Sequence, residues 1–307
     1  MDVVTFGETM AALRADGPIR LGGTARWSVA GAEANVAIGL ARLGHAVRWV
    51  GRVGADEPGA LVLRTLRAEN VDVTHAATDP GAPTGLILFE PRLVGVVRVG
   101  YYRTGSAGGR LTEAEVLKAL NPLPRVLHVT GITPALGPEP RAAVGAAVAA
   151  ARDAGVTVCF DVNYRSRLWP AAEAARVLRP LATAADIVVA SADELALVAP
   201  DGPAGLLAAG VAEVVVTRGA DGAEAVTAAG TLAVPAREVT LVDPVGAGDA
   251  FVAGYLSALL DGLDVDGRLA RAVTTGAFAA TTPGDWEGLP TRDELPLLGE
   301  PPGTTLR

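Results

Sequence analysis

Short apolar runs alternating with amphipathic stretches constrain this chain more than any single motif. Val3–Phe6, Val47–Val50, Val126–Thr130, Val156–Asp161, Ile187–Ala190 and Glu213–Thr217 read as strands. Helical spacing runs through Ala32–Leu43, Gly59–Glu69, Pro140–Ala154, Ala171–Leu181 and Ser191–Val198. Gly44, just past the first of these helices, is the residue type that helix ends favour. Parallel neighbours in a sheet need a crossover helix, so the alternation predicts an α/β fold: a mostly parallel central sheet with helices on both faces. The 307 residues suit one large domain with an appendage, or two domains. No linker is visible, and a single domain over residues 1–307 is expected.

Two stretches break the rhythm. Ala12–Val29 and Thr84–Tyr102 have strand-like content with no helix between, and Thr84–Glu90 with Val96–Tyr102 reads as a hairpin. They project as a small β layer or form an ordinary edge hairpin. Ala223–Thr227 and Thr231–Pro235 look like another hairpin, and Pro301–Arg307 like a loose tail.

Composition closes off several function classes. No apolar run reaches the roughly 18 to 20 residues of a membrane span, and Met1 leads almost directly into a strand rather than a signal peptide. The net charge is −8 and no basic tract appears, which argues against nucleic-acid binding. The single cysteine, Cys159, excludes an internal disulfide framework and suits a reducing cytoplasm. His45, His75 and His128 are scattered, so no Cys/His metal site is visible. Lys118 is the only lysine, and no GxxxxGK[ST] loop exists, so the chain is not a standard P-loop enzyme.

The stretch DPVGAGDAF, Asp243–Phe251, carries the strongest chemistry. A strand is expected to close at Leu241–Val242 and a helix to run over Ala250–Leu260, which puts Gly246, Ala247 and Gly248 at the helix start. There, backbone N–H groups lack partners and the macrodipole is positive. Small residues let an anion reach those donors, a site suited to phosphate oxygens. Asp249 within that field either stabilises the helix start or takes a proton from a hydroxyl beside the phosphate, making the oxygen a nucleophile toward the γ-phosphorus. A dinucleotide-binding GxGxxG is the competing reading. Against it, Phe251 occupies the third glycine position, and no acidic strand end follows.

Other stretches add candidates, each with a plainer structural reading beside it. In AGAEANVA, Ala30–Ala37, Gly31 and Asn35 sit at a helix start, where capping and close packing are the plain explanation. In YYRTGSA, Tyr101 and Arg103 can stack on a sugar and pair with a carboxylate, or simply end an exposed strand. In FDVNYRSRLW, Asp161, Asn163 and Arg165 follow an apolar strand at the ligand edge of the sheet; arginine there suits carboxylate or phosphate, or fixes the loop by pairing with Asp161. SADE, Ser191–Glu194, places an acid at a helix start, and TRGADGA, Thr217–Ala223, is a strand end with a glycine-rich turn.

DPVGAGDAF resembles the C-terminal signature of the ribokinase-like (PfkB) carbohydrate kinases. The resemblance implies a ribokinase-like fold, with the two interrupting stretches, about residues 12–29 and 84–102, as a β-sheet lid over the sugar. It implies Asp249 as the catalytic base and Gly246, Ala247 and Gly248 as the anion hole. Gly31 and Asn35 match the family's N-terminal GGxxxN motif, which meets sugar hydroxyls; Ala30 replaces its first glycine. YYR–GSA together with D-x-N-Y-R-x-x-L-W is similar to the 2-keto-3-deoxygluconate kinase branch. There Tyr101, Arg103 and Asn163 would meet the substrate, and Arg165 would lie near its carboxylate and the transferred phosphate. Glu194 matches the glutamate of NxxE that organises magnesium through water, with Ser191 in place of asparagine. Ser191, Thr217, Gly219, Gly222, Gly246, Gly248 and Gly276 would border the nucleotide, with the Thr281–Trp286 region near adenine. The resemblance spans nearly the full length, from Gly7 to Glu287–Pro290. It thins at Ile87, where a tyrosine is expected on the lid.

The implied activity is ATP-dependent phosphorylation of a 2-keto-3-deoxy sugar acid at its terminal hydroxyl. ATP and Mg2+ are the implied cofactors, with K+ as an open addition. A kinase for fructose or a nucleoside is the alternative within the fold, and a non-catalytic sugar-acid sensor the alternative outside it. A homo-oligomer pairing through the apolar lid hairpin, Leu86–Phe89 and Val94–Val97, is expected.

Overall fold

The computed structural model describes residues 1–93, 96–300 and 304. The tail expected at Pro301–Arg307 lies outside the described residues apart from Thr304, as does Val94 of the lid hairpin. In chain order the strands are β1 (Val3–Phe6), β2 (Met10–Ala15), β3 (Ala25–Ala30), β4 (Val47–Val50), β5 (Arg52–Gly54), β6 (Ala77–Asp79), β7 (Leu86–Leu93) and β8 (Val96–Tyr102). They continue with β9 (Val126–Thr130), β10 (Thr157–Asp161), β11 (Ile187–Ser191), β12 (Glu213–Thr217), β13 (Ala223–Thr227) and β14 (Gly230–Val234). The helices are α1 (Ala32–Arg42), α2 (Glu57–Ala68), α3 (Glu113–Ala119), α4 (Pro138–Asp153), α5 (Ala171–Ala184), α6 (Ala192–Val198), α7 (Gly202–Ala208), α8 (Ala247–Leu260) and α9 (Val265–Ala280).

The central sheet has the order β14-β13-β12-β11-β10-β9-β1-β4. It is parallel from β4 to β12, and the β13–β14 hairpin adds two antiparallel strands at one edge. One core packs α1, α2, α8 and α9 on one face, through residues such as Ile38, Leu66, Leu256 and Leu269. A second packs the helices α3 to α7 on the other, through residues such as Val116, Val144, Leu178, Leu195 and Leu206. Both faces are therefore dry, which is why the parallel strands are mostly apolar rather than strictly alternating, with Thr5, Arg48 and His128 among the buried polar exceptions.

The two interrupting stretches come together in a separate sheet of order β3-β2-β7-β8. Met10, Ala12, Ala30, Ile87 and Phe89 form its small core. This β layer is the expected lid.

Two expectations need correcting. Leu241–Val242 does not end a strand: these residues are 64% and 53% exposed, in a loop where Val242 N–H donates to Ala280 O at 2.8 Å. The β13–β14 hairpin has already taken the chain to the sheet edge, so it returns to α8 across the end of α9. The helix there also begins earlier than Ala250, at Ala247. Helices α3, α7 and α9 were not expected; the first two have seven residues each, too few to show a period.

Helix α8 is apolar on every side because it is buried between α1 and α9. Gly254 allows that approach: a Cβ there would lie 2.1 Å from Thr275 Oγ1. The packing leaves only the N-terminal end of α8 open, toward the C-terminal edge of the sheet.

Candidate active site

A cavity of about 850 Å³ lies between that sheet edge and the lid. The lid contributes Met10, Ile87, Phe89, Val99 and Tyr101. The strand ends contribute Asp161, Asn163, Ser191 and Thr217, and α8 contributes Gly246, Gly248 and Asp249. Gly31, Asn35, Arg103, Arg165 and Glu194 also line it. Thirteen of the sequence-derived candidates, from stretches more than two hundred residues apart along the chain, thus face one space.

Four candidates do not line it. Ala247 is the first residue of α8, with its carbonyl turned toward α9, where a Cβ on Gly276 would sit 3.2 Å from it. Gly276 therefore serves helix packing behind the anion hole. Gly222 has φ +93, and a Cβ would lie 2.1 Å from Val234 O, so the turn into β13 requires glycine. Gly219 is exposed in the same turn.

The opening of α8 is built by glycine. Gly246 has φ +77, and a Cβ there would come within 1.9 Å of Asp285 O. No other residue type fits that left-handed, backbone-crowded position. No side chain caps the helix; Ala247 N–H donates to Pro244 O at 3.3 Å, and the N–H groups of Gly248 and Asp249 face the opening, where an anion can meet them. Gly248 has nothing within 4 Å of the place its Cβ would occupy, so the approach is open.

Asp249 sits in this first turn, buried, and accepts a hydrogen bond from Asn35 Nδ2 at 2.7 Å. Burial pushes its carboxyl up to about 7, against the pull of the Asn35 hydrogen bond and the Arg165 charge. That places it where a general base works best near neutrality. Asn35 is held at the start of α1 because Gly31 lets the chain pass within contact of the Glu8 carbonyl, where a Cβ would be 2.6 Å away. Asn35 Oδ1 is buried without a protein partner, an acceptor suited to a hydroxyl from the cavity.

At the strand ends, Asn163 takes φ +38 and donates to Asp161 Oδ2 at 3.0 Å. Burial, then the charges of Glu194 and Asp249, drive the Asp161 carboxyl well above its usual range. Glu194 closes a capping box with Ser191 and also accepts from Tyr164 N–H at 2.8 Å. Arg103 is ion-paired with the buried carboxylate of Glu8, which Ser106 also contacts, and its guanidinium carbon lies 6.0 Å from the Tyr101 ring centroid. Ile87, where a tyrosine was expected, is buried in the lid core with its side chain at the cavity.

Several residues at the site carried no role in the sequence reading. Glu8 and Glu33 sit inside recognised stretches, but nothing local revealed that Glu8 would pair with Arg103. Nor did anything show that Glu33 would be fully buried, hydrogen-bonded by Thr130 and Thr133, with its carboxyl raised by that burial. Asp285 sits in the Thr281–Trp286 region expected near adenine, but its pairing with Arg14 was invisible, because it spans 271 residues.

Comparisons with known proteins agree with this geometry. The pattern described as pfkB family carbohydrate kinase matches residues 1–292. A 2-dehydro-3-deoxygluconokinase of Bacillus subtilis is 39% identical over 306 residues, covering 96% of this chain and 94% of the relative. One from Thermoproteus tenax is 36% identical over 310 residues, covering 97% and 94%. A protein assigned as ribokinase II from E. coli, solved in complex with ATP and Mg2+, superposes with a TM-score of 0.89 at 27% identity, covering 97% of this chain and 98% of that one. With a matching pattern over nearly its whole length, a ribokinase-like fold and relatives aligned end to end, this chain belongs to the pfkB family of carbohydrate kinases.

Proposed function

We propose that this ATP-dependent sugar kinase phosphorylates the terminal hydroxyl of a 2-keto-3-deoxy sugar acid, 2-keto-3-deoxygluconate, within a single kinase domain. The observation that carries the reading is Asp249: a buried carboxyl with its pKa near 7, in the first turn of an uncapped helix, facing a cavity under a lid. The similarity to the two 2-dehydro-3-deoxygluconokinases supports the substrate.

In this reading Asn35 and the lid hold the sugar with its terminal hydroxyl at Asp249. The carboxylate takes the hydroxyl proton as the oxygen attacks the γ-phosphorus, and ADP leaves. The N–H groups at the start of α8 stabilise charge on the transferring phosphoryl group, and Arg165, which lines the cavity, adds a positive charge beside it. Arg103, Tyr101 and Asn163 contact the sugar acid. Ser191, Thr217, Gly246 and Gly248 border the nucleotide within the cavity, the turn at Gly219 and Gly222 continues that wall beyond Thr217, and Gly276 supports it from behind.

Among the described residues, no group of three or more His, Cys, Asp or Glu is placed to hold a metal ion by itself. Glu194 lines the cavity; its Oε2 accepts from both the N–H and the Oγ of Ser191 at 2.9 Å and its Oε1 from Tyr164 N–H at 2.8 Å, which leaves a lone pair on Oε1 for water. That fits magnesium, which keeps several waters and is shared with substrate phosphates. When bound, the ion would neutralise charge on the nucleotide phosphates, with Glu194 orienting its water shell. A monovalent cation such as K+ is a further cofactor in this reading, checked by turnover in potassium against sodium salts.

The protein is also proposed to act in the cytoplasm and to pair through its lid. Trp27, Leu93, Val96 and Tyr102 are exposed apolar side chains on that sheet, and light scattering in solution checks the pairing. A coupled ADP assay over a panel of sugar acids, fructose and nucleosides tests the substrate. Turnover is expected to be fastest with 2-keto-3-deoxygluconate. A neutral sugar used more efficiently would overturn the acid-sugar assignment, and no ADP with any member would favour a sensor.

A further inference from the structure

At the edge of the cavity an arginine of the lid forms ion pairs with the segments that shape the start of α8. Arg14, on β2, reaches out of the lid sheet with its guanidinium 3.9 Å from the Phe89 ring centroid. Its Nη1 lies 3.0 Å from Asp243 Oδ2 and its Nη2 lies 2.8 Å from Asp285 Oδ2. All three side chains are largely buried.

These two carboxylates belong to the segments that shape the start of α8. Asp243 opens the loop into Gly246; its Oδ1 accepts from Val245 N–H at 3.1 Å and its Oδ2 from Gly284 N–H at 3.3 Å. Asp285 presses its backbone carbonyl against Gly246 so closely that no Cβ fits between them. The walls of the anion hole thus meet where two acidic side chains crowd together. Without a cation there, like charges in a poorly solvated space would push the segments apart, and their field would oppose an incoming phosphate. Burial already raises the Asp285 carboxyl to about 6 while Arg14 pulls it down. Two further hydrogen bonds join the same segment to the lid, from Ser28 Oγ to the Glu287 carboxylate and from Trp286 Nε1 to Val29 O at 3.2 Å. Glu287 adds its negative charge to that of Asp285, and among these contacts Arg14 is the cation.

We propose that Arg14 is a positioning residue for phosphoryl transfer: a cation carried by the lid that clamps the 243–246 and 284–286 segments together. The α8 anion hole then holds its shape when the lid is seated. The inference rests on the kinase reading for its consequence in turnover, but its first readout needs no turnover.

Binding of Mg·ADP to the wild type and to Arg14→Met is measured by calorimetry. Two charge-assisted hydrogen bonds are lost while the packing stem is kept, so nucleotide affinity is expected to fall about tenfold or more. Arg14→Lys, which keeps the charge but spans one carboxylate, is expected to fall between the two. In steady-state kinetics the loss should fall on kcat and on the KM for ATP, with the KM for the sugar acid changed less. In Arg14→Ala, added guanidinium ion is expected to restore part of the lost turnover, a rescue that a merely structural arginine does not show. If Arg14→Met fails to fold, Arg14→Gln replaces it, with the same weakening of nucleotide binding expected. Unchanged Mg·ADP affinity in the folded variant overturns the inference, as does a loss shared equally by both KM values with no guanidinium rescue. A wild type that binds Mg·ADP but phosphorylates no sugar removes the kinase reading instead, and leaves the affinity comparison to decide the role of Arg14.

Discussion

Replacing Asp249 by Asn tests base catalysis and site electrostatics in one variant. The side chain keeps its shape and its oxygen can still accept from Asn35, so the main change is loss of a titrating charge. Folding raises this carboxyl from 3.8 to about 7, a shift of roughly three units, or on the order of 4 kcal/mol. The sign follows from proton linkage. The native state holds the proton more tightly than the unfolded chain, so its stabilising contribution is complete below pH 3.8 and is lost as pH rises through about 7. Above neutrality the wild type buries a charge that asparagine does not carry. With an unfolding entropy of about 2.1 cal/mol/K per residue, 4 kcal/mol over a chain of this length is a Tm difference of about 6 °C. Thermal unfolding should therefore find Asp249→Asn more stable by about that amount at pH 8 and equal to the wild type near pH 4. Turnover in the coupled ADP assay should drop by about 10² to 10⁴, with Mg·ADP binding nearly kept. A variant that turns over normally refutes the base assignment. One that is no more stable at pH 8 than the wild type refutes the claim that burial strains this carboxylate.

The same reasoning sets the pH dependence: kcat/KM for the wild type should fall below about pH 7 as Asp249 protonates. In Asn35→Ala, which removes a hydrogen bond to the charged form, that limb should move to higher pH, and a pH–rate profile reads both. Gly246→Ala should lower stability by at least about 2 kcal/mol, from left-handed strain and collision with Asp285. Gly248→Ala, in open helical space, should leave Tm unchanged or slightly raised while increasing the KM for ATP; differential scanning and kinetics separate the two. Arg103→Ala should raise the KM for the sugar acid and also destabilise by about 3 kcal/mol, because Glu8 is left buried and unpaired. Adding Glu8→Gln should restore Tm without restoring KM.

Much of the architecture was legible in the chain because its signals are local. Apolar runs of strand length, helical periodicity and the cap residues act over a few positions, so the central sheet's parallel strands and most of the crossover helices could be read along the chain, whereas the spatial order of the strands could not. The start of α8 was legible for the same reason: Gly-Ala-Gly before an aspartate is a local geometry, even though the strand expected to precede it at Leu241–Val242 is a loop. The lid's strands and their gathering into one small sheet were expected, but the pairing and register were not legible, since β2 pairs with β7 across 75 residues.

What the sequence alone determined was which backbone segments exist and which chemical groups stand at their ends. Only the tertiary structure decided how those groups act on one another. Asn35 meets Asp249 across 214 positions, Arg14 meets Asp285 across 271, and Arg103 is neutralised by Glu8. Burial then moves Asp249 to near neutrality, which no property of an isolated aspartate implies. The physical reason is range: hydrogen bonding and rotamer preference within a few residues write a readable pattern, whereas desolvation and charge pairing depend on neighbours that folding brings in from the far end of the chain.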